Sequence, residues 1–431
     1  MSGKIEGSAA PAACLSPSLW QVARPPSFAC FYVHIMRSVS AVFAFRPAGI
    51  VLAAILAIGT GWSAVQVHKK TLHPAAHRVA PAAMAAVVQT KATPLKTVRK
   101  TPVPAPAVVA GGPWTEPTFA DSTIGDHVDG EDITIRRAAV EALGSYNGSV
   151  VAVDPTSGRV LAMVNQRIAT SSGFQPCSTI KVSVALAGLS EKVIQPAAKL
   201  RLPGSKMDLT YALAHSNNYY FATLGQKLGF EKYSYYAHLL GYGERAGLNI
   251  PGEQAGHFPS AIPHNGGVGM LTSFGEEIEQ TPLQLAALMS AIANGGTLYY
   301  LQYPQSQEEA RNLAPRIKRK LDIGALIPAI EAGMRGAVEF GTAHRAREDG
   351  DIAGKTGTCS ENHTHLGWFG SFNETGKRRL VIVVLLTGGR PAIGPLAAGI
   401  AGDVYKRLSD NNYFADATPA APFPSLIPVK R

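Results

Sequence analysis

Ser178-Thr179-Ile180-Lys181 opens the apolar run STIKVSVALAGL at residues 178–189, and everything else turns on a serine placed three residues before a lysine. At the start of a helix that spacing sets the two side chains one turn apart on a common face, within reach of each other. A serine hydroxyl is a weak nucleophile and needs an adjacent base. A lysine can be that base only if burial or a neighbouring cation depresses its pKa. Alone, the pattern would equally describe an N-capping serine and a surface lysine. Two later strings change that. Ser216-Asn217-Asn218 follows after about 40 residues, between helical stretches, and Lys355-Thr356-Gly357-Thr358 after about 140 more. Lys355 is then the candidate neighbouring cation. The last string lies on a strand-like stretch, Asp351–Cys359, and lacks the spacing of a phosphate-binding G-x-x-x-x-G-K-[ST] loop.

In that order, S-x-x-K, S-x-N and K-T-G resemble the signature of the acyl-serine transferases and serine β-lactamases. More narrowly, the chain resembles the transpeptidase domain of penicillin-binding proteins over about residues 130–410. The stretches GSVVAVDPTSGRVLAMV, LNIPGEQAG and TPLQLAALMSAIANGG fit that resemblance in the expected order. The fold it implies is α/β (α+β): an antiparallel sheet flanked by helices plus an all-helical subdomain. The roles it implies are catalytic for Ser178, Lys181 and Ser216, with Ser216 relaying a proton to the leaving amine. Asn218 would bond the substrate's backbone amide. Lys355 with the hydroxyls of Thr356 and Thr358 would hold a terminal carboxylate, and the backbone amides of Ser178 and Thr358 would form an oxyanion hole. The expected substrate is the D-Ala-D-Ala stem peptide of peptidoglycan, with β-lactams as inhibitors and a membrane glycan polymerase as partner. No cofactor or metal is expected.

Cys177 stands where the family usually has glycine or another small residue, and Cys359 directly follows Thr358. In this fold the K-T-G strand lies beside the serine, and some class A carbapenem-hydrolysing β-lactamases carry a disulfide at the same motif-relative positions. A Cys177–Cys359 disulfide is therefore expected. Cys14 and Cys30 precede the apolar segment and are expected to stay reduced.

Two rival functions share the motifs. A β-lactamase must deacylate quickly and needs a water-activating base; Glu253, about 35 residues after Asn218, is the candidate. A non-catalytic β-lactam sensor is the other. His215, His363 and His365 read as loop or surface histidines, since no matching ligand set accompanies them.

The net charge of +10 invites a nucleic-acid reading, but its location argues against one. Before Gly111 eleven basic residues face one acid, Glu6, whereas the remainder carries 29 of each. The folded part is neutral, so no basic binding face is expected there.

Gly49–Val67 is an uncharged apolar run of about 19 residues, long enough to span a hydrocarbon core. It reads as a signal-anchor, with a cleaved signal peptide as the alternative. Residues 1–48 would be cytoplasmic, although Met36 also makes a sensible start. Residues 68–113, rich in Ala and Pro, read as a linker carrying the domain outside the cytoplasm. The domain is expected over 114–410, with a loose tail at 411–431. The large pedestal domain usual in monofunctional relatives is expected to be missing or reduced to about Trp114–Ile135. Within the domain, strands are expected first, at Ser149–Asp154 and Arg159–Val164, then one long helical region from Ser178 to about Leu240. A helix is expected from Thr281-Pro282 to Asn294-Gly-Gly296, then strands near 366–372 and 379–386, and a closing helix near 395–408.

Overall fold

The main sheet draws its strands from opposite ends of the folded region. β1 (Gly148–Asp154) and β2 (Arg159–Val164) form an early hairpin; β3 (Ile352–Glu361), β4 (Thr364–Asn373) and β5 (Val381–Gly388) come some 190 residues later. The computed structural model describes residues 114–347, 351–373 and 378–415. Across the sheet the order is β2-β1-β5-β4-β3, and each neighbouring pair is antiparallel. The order has two consequences. β5, the continuous apolar run VIVVLLTG, sits in the middle and is buried along its whole length. β3, which carries Lys355-Thr356-Gly357-Thr358, lies at an edge of the sheet, so one side of its backbone is not taken up by a neighbouring strand.

In chain order the helices that matter are α1 (Ile133–Leu143), α2 (Lys181–Ser190), α3 (Leu209–Ala214) and α4 (Asn218–Leu228). They are followed by α5 (Gly267–Phe274), α6 (Pro282–Ala293), α7 (Ile327–Glu339) and α8 (Gly394–Asp410). Alternate side chains of a strand point to opposite faces, and both faces here are covered. Val150, Ala152, Ile382 and Val384 pack on one side with α1 and α8. Val151, Val153, Val383 and Leu385 pack on the other with α2 and α6. α6 is buried at all of its positions. Thr281 caps it in a reciprocal capping box with Gln284, Pro282 fills its first turn, and Asn294 ends it, as the sequence predicts.

Two expectations need correction. The described domain opens with α1 before the first strand; Asp132 accepts bonds from the Thr134 and Ile135 amides and so starts a helix that apolar patterning alone did not disclose. The expected long helical region from Ser178 to about Leu240 is interrupted more than the sequence suggests. A small hairpin (Leu200–Leu202 with Ser205–Met207) turns at Pro203-Gly204, whereas the separate helices on either side of Ser216 match the expected break between helical stretches. Pro203 cannot donate within a helix, and Gly204 takes a left-handed turn at φ +75. Among the described residues no helix is long and apolar enough to cross a membrane. The expected anchor at 49–67 and linker at 68–113 lie outside the described residues, as does the tail beyond 415.

Candidate active site

Residues Cys177–Ile180 form a 3-10 turn that runs directly into α2 at Lys181. Ser178 is 9% exposed at the mouth of the site, and Lys181 is fully buried beneath it. Lys181 Nζ lies 2.5 Å from Ser178 Oγ, 2.8 Å from Asn218 Oδ1 and 2.6 Å from the Ser273 carbonyl oxygen. The Phe274 and Phe221 rings stand 5.5 and 5.8 Å from the nitrogen. Burial, and after it the charge of Lys355, hold the Lys181 pKa well below the ordinary lysine value. The Ser273 carbonyl can only accept, and so can the Asn218 side-chain oxygen. A neutral Lys181 amine would donate its two hydrogens to those oxygens and turn its lone pair to the Ser178 hydroxyl. That arrangement can take a proton from the serine.

Ser216 sits in the break between α3 and α4 with φ +55, a left-handed backbone uncommon outside glycine. Asn217 makes the break by capping α4, accepting from the Tyr220 amide at 2.8 Å. Asn218 thereby starts α4 facing Lys181. Lys355 Nζ donates to Ser216 Oγ at 2.9 Å and to the Thr356 carbonyl at 2.9 Å. Fully buried, Lys355 is pushed down to about 7 by desolvation.

The period of β3 decides what meets the site. Lys355, Gly357 and Cys359 share one face. Lys355 reaches Ser216, Gly357 backs onto Pro176 and Thr179, and Cys359 is disulfide-bonded to Cys177, with Cα atoms 5.6 Å apart. The expected disulfide is present. Thr356 and Thr358 point the other way. The Thr356 hydroxyl pairs with that of Thr342 at 2.6 Å, and the Thr358 hydroxyl accepts from the Gly394 amide at 2.8 Å. A ligand carboxylate touching Lys355 and both threonines would have to lie along the free edge of β3.

Against known families, the model for the penicillin-binding protein transpeptidase domain matches residues 148–406, more than half of the chain. The chain belongs to that family. Among curated relatives, the chain is 27% identical over 311 residues to stage V sporulation protein D of Bacillus subtilis, covering 59% of this chain and 48% of that one. It is 25% identical over 353 residues to peptidoglycan D,D-transpeptidase MrdA of Haemophilus influenzae, covering 62% and 54%. The chain thus spans about half the length of the curated relatives it matches. The solved structure of Pseudomonas aeruginosa PBP2 in complex with WCK 5153 shares its fold, with TM-score 0.56 and 24% identity over 67% of this chain and 78% of that one. The transpeptidase domain from Eggerthella lenta does so at TM-score 0.52 and 20% identity, covering 65% and 82%.

Within the transpeptidase domain, sequence reasoning missed three contributors to the site. Ser273 acts through its backbone carbonyl, which no residue type announces. Phe274 sets its ring 5.5 Å from Lys181 Nζ, and a phenylalanine in an apolar run is usually core. Thr342 sits after α7, where its amide donates to the Ala214 carbonyl at 3.1 Å, so it joins the end of α3 to the Thr356 hydroxyl. Glu253 has a different role. Its carboxylate accepts from the Ala246 amide at 2.7 Å and the Gly247 amide at 3.0 Å, which holds a loop together. His215 packs on Tyr211, and His365 packs on Trp114 and bonds Ser360. His363 occupies the β3–β4 turn at φ +55. Among the described residues no group of three or more His, Cys, Asp or Glu is placed to hold a metal ion.

Proposed function

We propose that the chain is a penicillin-binding D,D-transpeptidase, or a D,D-carboxypeptidase, that works through an acyl-Ser178 intermediate on D-Ala-D-Ala stem peptides. The observation that carries the reading is Lys181 Nζ at 2.5 Å from Ser178 Oγ, buried and with its pKa depressed. Ser178 Oγ attacks the carbonyl between the two D-alanines while its proton passes to Lys181. The backbone amides of Ser178 and Thr358 stabilise the oxyanion. Ser216, held by Lys355, passes a proton to the departing D-alanine amine. Asn218 bonds the substrate's backbone amide, and Lys355 with Thr356 and Thr358 holds the terminal carboxylate. An amine then resolves the ester to give a crosslink, or water resolves it to give a trimmed stem. The curated relatives named as peptidoglycan D,D-transpeptidases support the crosslinking outcome.

On this reading residues 114–410 are the catalytic module, held outside the cytoplasm by the apolar run at 49–67 and the linker at 68–113. On the same reading, a glycan polymerase in the membrane would be the partner. A β-lactamase reading would need a deacylating base, and Glu253, the candidate for it, has its oxygens engaged by loop amides.

Intact-mass analysis of the full chain after exposure to benzylpenicillin tests the reading. One long-lived adduct on wild type, and none on Ser178→Ala, is expected. Rapid turnover of a chromogenic β-lactam would replace the transpeptidase reading by the hydrolytic one, and an adduct persisting on Ser178→Ala would overturn both.

A further inference from the structure

We propose that the Cys177–Cys359 disulfide is a positioning clamp for the acylation step, one that holds the Ser178 turn in register with the free edge of β3. The proposal rests on the acyl-Ser178 reading above. The bond joins the residue just before Ser178 to the residue just after Thr358. Each sulfur is therefore one peptide away from an amide that the proposed oxyanion would need.

The rest of the turn shows why such a clamp matters. Upstream, Gln175 is fastened twice: its amide donates to Glu361 Oε2 at 2.9 Å, and its carbonyl accepts from Trp368 Nε1 at 2.9 Å. Downstream, Lys181 is held by Asn218 and Ser273. Between those anchors Cys177 adopts φ +51, in the left-handed region where a side chain is strained and glycine is not. The direction of the Ser178 amide follows from that backbone. The crosslink ties this conformation covalently to β3, across a sequence separation of 182 residues. Reacting groups that are loose by about 1 Å lose large factors in rate, so the clamp should act on chemistry more than on binding.

Cys177 is fully buried, whereas Cys359 is partly exposed near the end of β3, so a dithiol reductant would attack Cys359. Its thiolate bonds to Cys359 Sγ, the bond between the two protein sulfurs breaks, and Cys177 leaves as a thiolate that takes up a proton. The reductant's second thiol then displaces Cys359 Sγ. Two electrons pass to the protein, leaving two thiols and a cyclic disulfide on the reductant.

The test uses the full chain in detergent, oxidised or reduced with dithiothreitol, at a temperature well below the melting point of the reduced form. Stopped-flow acylation by a fluorescent penicillin separates the acylation rate constant from the Kd, each normalised to titratable sites. Reduction should slow acylation at least tenfold and change Kd less than threefold, and oxidised glutathione should restore the rate. Cys177→Ala with Cys359→Ala should match the reduced enzyme. Cys177→Gly with Cys359→Ala should recover at least threefold of the loss, because glycine accepts the left-handed turn without the tie. Should the alanine pair fail to fold, the glycine pair and the reduced wild type still decide. A lowered melting temperature with an unchanged acylation rate per site would mean a structural staple only, and the clamp would be refuted. Absence of acylation in the oxidised protein would refute the function reading and the clamp together.

Discussion

Gly357 lies so close to Pro176 that a methyl group on it would fall 2.9 Å from the Pro176 carbonyl oxygen. The same methyl would sit 3.1 Å from Trp368 Cβ and 3.2 Å from Thr179 Cγ2. Strand and turn therefore meet backbone to backbone, next to Ser178. Neither partner can yield cheaply: Pro176 precedes the disulfide, and Trp368 is fully buried and bonded to Gln175. Gly357→Ala should push β3 away from the turn, cost about 1–3 kcal/mol of stability, and slow penicillin acylation at least tenfold. Thermal melting with acylation kinetics checks this, and wild-type acylation in a folded variant would show that the approach is not needed for the chemistry.

Lys181→Ala removes the only side chain within hydrogen-bond distance of Ser178 Oγ among the described contacts. General-base effects are typically of the order of a hundredfold or more, so acylation should fall by at least that factor. Penicillin affinity before acylation should change little, since the lysine lies beneath the serine. The separation of rate constant from Kd by stopped flow makes the check. Near-normal acylation would assign the base elsewhere.

Much of this site was legible because its chemistry is written in short local strings. Ser178 and Lys181 are one turn apart whatever the rest of the chain does, and Asn217 caps α4 from within its own segment. The strand carrying Lys355 was legible too, from its own composition. What local reading could not supply was which of its faces met the serine. That follows from the sheet order, which puts β3 at the edge, and from the period of two, which turns Thr356 and Thr358 away from Lys355. The break at Ser216 between two helical stretches was legible, but its left-handed backbone was not. Ser273 was illegible for a simpler reason: a carbonyl oxygen is common to every residue.

The two buried lysines predict a bell-shaped pH dependence of the second-order acylation rate constant. Lys181 must be neutral to take the serine proton, so the rate should rise with pH through the depressed pKa of Lys181. Lys355 must be charged to hold a carboxylate, so the rate should fall as Lys355 loses its proton at about 7 in the free enzyme. A bound carboxylate favours the charged form, so under saturating penicillin the descending limb should move to higher pH. In Lys355→Arg that limb should vanish, because a guanidinium keeps its proton. A wild-type rate that climbs steadily from pH 7 to 9 would contradict the assignment of Lys355.

Lys355 should also be a place where stability is given up for function. A lysine whose folded pKa is lowered from 10.5 to about 7 binds its proton more weakly folded than unfolded. Between those two values the unfolded chain carries the extra proton, so this group makes stability rise with pH from about 7 to about 10.5. Its cost is therefore fully present below pH 7 and has faded near pH 10.5. Even buried ion pairs, when replaced by well-packed apolar side chains of similar volume, often prove neutral or stabilising by about 1–4 kcal/mol, and a desolvated lysine without a counter-charge has more to gain. Lys355→Met should accordingly melt several degrees higher than wild type at pH 6–7, and the gap should close as the pH approaches 10. The lost bond to Ser216 Oγ works against the gain but does not share its pH dependence. The same variant should need a much higher penicillin concentration for half-maximal acylation. Melting curves at pH 6, 8 and 10 decide the matter: a gap that is constant with pH, or that widens upward, would show that Lys355 keeps its proton in the folded enzyme.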